Sequence, residues 1–319
     1  MGMWEAEAVR IILGIISFFG LILNSMGIFV LFRCQISSKL TTSLMRSQVV
    51  IDCYACGILF ISKAVGPRYS TPWETFNKIL CYSWFRDNLF WLGAVMSVHN
   101  IVCISFDRLV AVVSPIFYKL HQRGLLIGCY IYLVSMSLFL FIPNCLRRRF
   151  VNSTCESEFA IDDIATFFAV QSYFWLFCNY MLPGLFIITC HAVVIRFVYQ
   201  SPLNIHNEDG STQRSPTGRR VKMLFITTAT MASMLLLFHA YEAVRYLLSN
   251  VGLIDYASGS PQQQVGIGLI ILTCTLNPVI LISTTSTLRH FARSYVMKLL
   301  FRINVSRNMS SSVASVTEL

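Results

Sequence analysis

The sequence predicts an all-α membrane protein built as a bundle of seven transmembrane helices. Seven apolar runs of spanning length occur, at roughly residues 11–32, 44–66, 84–106, 124–143, 167–198, 222–248 and 264–284. A bilayer core takes about 20 apolar residues in a helix, and a soluble core has no reason to repeat that length seven times. Composition agrees: 55% of residues are hydrophobic and 13% charged, with a mean hydropathy of +0.63. Soluble domains carry about a quarter charged residues. Isolated polar and Pro residues placed inside the runs are the third observation, and they carry the functional reading.

Residues 1–10 precede the first run, 11–284 hold the bundle, and the connections between runs are too short to fold alone. Sixteen of the 25 Lys and Arg residues fall on the side where the first, third, fifth and seventh runs end, and nine on the other. Basic residues concentrate on the cytoplasmic side, so the C-terminus is expected inside and the N-terminus outside. A basic rim facing anionic membrane lipid accounts for the net charge of +10, and no nucleic-acid-binding motif rivals it. Asn152-Ser153-Thr154 is an N-glycosylation sequon in the loop after the fourth run, on the side that charge places outside. Sequons at Asn304 and Asn308 lie in the expected cytoplasmic tail and should be silent. Residues 201–218, rich in Pro, Gly, Ser and Asn, read as a flexible inner loop.

Eight of the eleven cysteines lie in or beside apolar runs and read as small buried hydrophobes. Cys81, Cys145 and Cys155 lie at the outer face, where an oxidising compartment permits a bridge. Cys81–Cys155 is the preferred pair and Cys145 the rival partner; spacing leaves the connectivity open.

Asp52 sits in the middle of the second run, where an ionisable group costs on the order of 3 kcal/mol on insertion scales. Asn24 in the first run, Ser97 in the third and Asn277 in the seventh lie at comparable depth. Together they read either as a polar clamp between helices or as an oxygen-rich site for a small cation such as sodium. In the third run Phe90, Ser97 and Arg108 share one helix face, over a rise of about 27 Å. Asp107-Arg108 puts an acid and a guanidinium at the inner boundary. Pro143, Pro183 and Pro278 each remove a backbone donor inside an apolar helix, and Asn277 is placed to satisfy a carbonyl freed by Pro278.

Taken in order, these positions resemble the class A, rhodopsin-like G-protein-coupled receptors over nearly the whole chain. Asn24 and Asp52 match the family's Asn and Asp in spans one and two, and Asp107-Arg108-Leu109 its Asp-Arg-Tyr. Pro183 matches the span-five Pro, and Asn277-Pro278-Val279-Ile280-Leu281 looks like Asn-Pro-x-x-Tyr. Leu288-Arg289-His290-Phe291 resembles the start of the short amphipathic eighth helix, expected over 285–303, with a flexible tail over 304–319. The resemblance implies a receptor, not an enzyme, that activates heterotrimeric G proteins through Asp107, Arg108, Asn277, Pro278 and Phe238. It also implies arrestin-type regulators acting on the Ser-rich tail.

Departures mark a divergent member. Leu109 and Leu281 replace two tyrosines, and His191 stands where span five usually carries another. Phe238-His239-Ala240-Tyr241 takes the place of Trp-x-Pro-Tyr. Arg219, Arg220 and Lys222 lie at the inner end of span six, where relatives often carry an acid, so a weak resting lock and raised basal activity are expected.

Phe90 stands where amine-binding members carry Asp, and Ile271 where opsins carry Lys. The outer third presents Lys63, Arg86, Asp87, Phe90, Trp91, Tyr241, Glu242 and Arg245. Mixed charge over a wide mouth suits a peptide ligand. Thr317-Glu318-Leu319 is a carboxyl-terminal pattern that PDZ domains add as a strand. An ion- or proton-coupled transporter with Asp52 as relay is the competing class, opposed by the lack of a repeat between the two halves. No nucleophile-base pair or phosphate loop points to an enzyme, and no cofactor is implied beyond a sodium ion.

Overall fold

A computed structural model describes residues 3–66, 71–146, 149–152, 154–156, 162–200, 204–206, 212–214, 216–255, 259–295 and 297–298. Seven helices are long and apolar enough to cross a membrane. The first two spans are α1, Met3–Arg33, and α2, Lys39–Val65. A short helix α3, Glu74–Ser83, and a single 3₁₀ turn, Phe85–Asp87, lead into the third span, α4, Asn88–Val113. After α5, Pro115–Leu120, come the fourth span, α6, Gln122–Leu146, and a hairpin of β1, Arg149–Val151, with β2, Thr154–Glu156. The fifth span runs through α7, Asp162–Leu176, a π turn, Phe177–Met181, and α8, Leu182–Gln200. A second hairpin pairs β3, Asn204–His206, with β4, Thr212–Arg214. The sixth and seventh spans are α9, Pro216–Asn250, and α10, Pro261–Thr284. Thr285 is extended at φ −91°, and residues 286–295 then form the eighth helix.

Several boundaries differ from the sequence expectation. Helix α1 begins at Met3, so residues 3–10 are its first turns, and Arg10 Nε donates to the Lys63 carbonyl at 3.0 Å. The third span starts at Asn88, because Asp87 adopts a left-handed φ of 60° that interrupts the helix. Part of the expected flexible loop is ordered as the β3–β4 hairpin and the start of α9. The serine-rich tail, Asn304, Asn308 and Thr317-Glu318-Leu319 lie outside the described residues.

Helix α4 is the axis of the bundle. It packs against α2, α6, α8 and α9, while α1 lies on α2 and α10, and α9 on α10. The most apolar window of the third span is 72% buried inside the protein against 22% for the fourth, so α6 is peripheral. On α1 the outward Ile11, Ile15, Phe18, Phe19, Ile22 and Met26 form an apolar face suited to lipid. Lipid tails are as apolar as these side chains, so close packing must hold the helices together. Gly20 shows how: a Cβ there would lie 2.5 Å from Thr275 Oγ1 and 2.6 Å from Cys56 Sγ, so only glycine lets α1 approach α2 and α10 this closely.

Candidate functional site

Helix α2 begins at Ser38, whose hydroxyl accepts from the Thr41 backbone N–H at 3.0 Å. From that fixed start the helix presents Thr41, Gln48 and Asp52 to α4, all buried. Asp52 is fully enclosed, and its carboxylate accepts four hydrogen bonds. Ser97 Oγ donates to Oδ1 at 2.8 Å, Asn277 Nδ2 to Oδ2 at 2.8 Å, and Gln48 Nε2 to both oxygens at 3.0 Å. Gln48 Nε2 also donates to Ser97 Oγ at 2.7 Å, and Asn100 Nδ2 to Gln48 Oε1 at 2.8 Å. Depth alone places Ser97 and Asn277 beside Asp52. It misses Gln48 and Asn100, polar residues inside apolar runs that form the other half of the cluster.

Asn24 does not join this cluster. Its Nδ2 donates to the Gly20 carbonyl at 2.9 Å and the Cys274 carbonyl at 3.1 Å, and lies 3.8 Å from Cys56 Sγ. Cys274 stands four residues before Pro278, so its carbonyl is the one left without an intrahelical donor. Asn24 therefore performs the repair expected of Asn277, whose own amide is taken by Asp52.

A second cluster lies at the far end of α4. Arg108 Nε donates to Asp107 Oδ2 at 3.1 Å, and Arg108 Nη2 bonds to Asp107 Oδ2 and Thr41 Oγ1. Thr41 Oγ1 donates to Asp107 Oδ2 at 2.9 Å, and Tyr118 Oη on α5 donates to Asp107 Oδ1 at 2.6 Å. Ser38 Oγ lies 2.5 Å from Tyr118 Oη, which joins the cap of α2 to the same cluster. Burial, and then the neighbouring Asp107 carboxylate, push the Tyr118 phenol up to about 12, so it remains a donor at neutral pH. Thus α2, α4 and α5 meet at one buried acid. Among the described residues no ion pair joins Arg108 to α9. Leu281 adds no hydroxyl here and packs with Leu31, Leu40 and Leu288 in the adjoining core. His191 lies against Phe225, with ring centroids 5.4 Å apart, and so links spans five and six.

At the opposite end Cys81 is bonded to Cys155, and Cys145 is not in a disulfide. Asn152 is exposed in the turn of the β1–β2 hairpin at φ 49°. Lys63 Nζ and Asp87 Oδ2 form an ion pair at 2.7 Å, Ser62 Oγ donates to Asp87 Oδ1 at 2.7 Å, and Gln264 Nε2 reaches Asp87 Oδ2 at 3.4 Å. This buried acid ties α2, the start of α4 and α10 together. Glu242 is buried against α10, where a Cβ on Gly266 would meet its Oε2 at 2.1 Å. The Arg245 guanidinium lies 5.7 Å from the Tyr241 ring centroid. The Arg86 side chain lies outside what the structure describes.

Phe90 departs from its expected place at the mouth. It is fully buried among Leu13, Leu59, Ile267 and Ile271, a core position with no open face. Trp91 instead faces spans five and six: its ring stacks edge-on with Trp175 at 5.8 Å, and Trp175 packs on Tyr246 at 5.3 Å. Sequence reasoning missed Trp175 and Tyr246, since aromatics in apolar runs carry no distinguishing mark. Phe238 is half-buried on α9 and takes no part in either polar cluster.

Seven spans, a central third helix and polar clusters at its middle and end define a heptahelical membrane protein. The family model of the 7 transmembrane receptor (rhodopsin family) matches residues 24–281, and the chain belongs to that family. A comparison with curated proteins gave no match. The protein is a multi-pass membrane receptor.

Proposed function

We propose that this receptor senses an extracellular peptide and activates heterotrimeric G proteins by opening the end of the bundle around Arg108. The orientation follows from the charge bias, with the disulfide and Asn152 outside and Arg108 in the cytoplasm. The observation that carries the reading is the arrangement at Arg108. A guanidinium is held in a closed, buried cluster by a neighbouring acid, and three elements converge on that acid. Such a cluster has two states, closed or with Arg108 released, and a ligand that prefers the released state shifts the population.

A peptide is favoured by the mixed charges carried by the outer third of the bundle and by the Trp91–Trp175–Tyr246 aromatic row. The cluster at Arg108 draws on α2 and α5, and the inner end of span six supplies basic residues rather than an acid. The resting state is therefore weakly tied to α9, and basal signalling is raised. Arrestin-type and PDZ partners on the tail complete the proposal.

The test is a peptide-library screen on cells expressing the chain, read through a promiscuous G protein. A peptide hit whose response disappears in Arg108→Ala at equal surface expression supports the reading. Electrogenic flux without ligand that disappears in Asp52→Asn would replace it with transport.

A further inference from the structure

A carboxylate sealed among helices needs compensation, either from a cation or from hydrogen-bond donors. The oxygens around Asp52 look suited to a cation, but the position such an ion would take is filled. Gln48 Nε2 stands 3.0 Å from each carboxylate oxygen and 2.7 Å from Ser97 Oγ, at the common point of the three. We infer that the Gln48 amide serves as a built-in substitute for sodium at Asp52, so that this receptor's interior does not respond to the ion.

Three observations carry this. The amide is held in one orientation, because Gln48 Oε1 accepts from Asn100 Nδ2 at 2.8 Å while the same Nδ2 donates to the Leu44 carbonyl at 3.0 Å. Turning Gln48 over would set its oxygen against a carboxylate and its N–H groups against another donor. The amide is also tethered one helical turn from Asp52 on α2, so it is present whatever the salt. Finally, Ser97 and Asn277 supply the remaining donors, and both carboxylate oxygens are satisfied. The amide acceptors left over are Asn24 Oδ1, Asn100 Oδ1 and Asn277 Oδ1, buried without partners. All three are neutral, and the one charged acceptor beside them, Asp52, already has both oxygens hydrogen-bonded.

The inference is tested on the full-length receptor in detergent or nanodiscs, without ligand, by thermal unfolding. Sodium chloride is titrated against choline chloride at constant ionic strength. The wild type is expected to show no sodium-specific change in midpoint. Gln48→Leu is expected to gain a saturable rise of about 2 °C or more in sodium, which Gln48→Leu/Asp52→Asn does not show. Should Gln48→Leu not fold, Gln48→Met removes the same donor with less change in shape. A saturable sodium response in the wild type that Asp52→Asn abolishes would overturn the inference. So would folded Gln48 variants that remain indifferent to sodium, since the amide would then be standing in for nothing.

Discussion

Asn24 and Cys274, 250 residues apart in the chain, are joined by a 3.1 Å hydrogen bond from the Asn24 amide to the Cys274 carbonyl. Pro278 brings no N–H to that carbonyl, so span one supplies the donor that span seven lacks. Asn24→Ala should cost about 1–3 kcal/mol, the usual penalty for a buried acceptor left unpaired. A double-mutant cycle checks the cause: in a Pro278→Ala background, where a backbone N–H returns, the Asn24→Ala penalty measured by thermal unfolding should shrink. Equal penalties in both backgrounds would separate Asn24 from the proline.

Tyr118→Phe removes the phenol that donates to Asp107, and Thr41→Val removes the hydroxyl on its other oxygen. Each should raise ligand-free G-protein activation at matched surface expression. The double variant should fall short of the sum, because both act through one carboxylate. The Tyr118 contribution requires the protonated phenol. With its pKa pushed up to about 12, that contribution is complete below the ordinary tyrosine value of about 10 and is lost only as pH rises through the folded value. Basal signalling that differs between wild type and Tyr118→Phe should therefore keep the same difference across neutral pH.

The Lys63–Asp87 pair is largely buried, with side chains 10% and 7% exposed. Removing one partner strands the other charge, so Asp87→Ala or Lys63→Ala should cost about 3 kcal/mol or more. The exchanged pair, Lys63→Asp with Asp87→Lys, should recover part of the lost thermal midpoint. No recovery would mean that Ser62 and Gln264, not the ion pair, hold Asp87.

The Cys81–Cys155 bond closes a sequence separation of 74 residues. Its loss in Cys155→Ser should lower stability by about 4 kcal/mol on chain-entropy grounds. Cys145→Ser should leave the bridge intact, as judged by free-thiol labelling.

Much of the fold was legible because a bilayer imposes length and composition on every crossing, and the seven runs satisfy both. The approach of Ser97 and Asn277 to Asp52 followed from depth, since helical rise maps residue number onto position along the bundle axis. Direction was harder. Gln48 and Asn100 carry the same polar signal whether they point to a neighbour or to their own backbone, and the position of Phe90 in the outer third says nothing of its side chain, which turns into the core. Thr41 and Tyr118 were hidden for another reason: they lie near the membrane boundary, where polar residues are ordinary. Helix α3 and the first turns of α1 lie outside the uniformly apolar runs, so span length gave no hint of them.

The π turn at Phe177–Met181 leaves span five with one surplus residue relative to an uninterrupted α-helix. One residue corresponds to about 100° of rotation, so the two halves of the span are out of phase by that angle. A wheel drawn through α7 would therefore misassign the faces of α8, where Ile187, Cys190 and Val194 turn inward. Because the widening comes just before Pro183, it also gives the pyrrolidine ring room that a regular turn would deny. Excising a single residue between 177 and 181 would re-phase the span, swinging one half around its own long axis while leaving its tilt in the bundle nearly untouched.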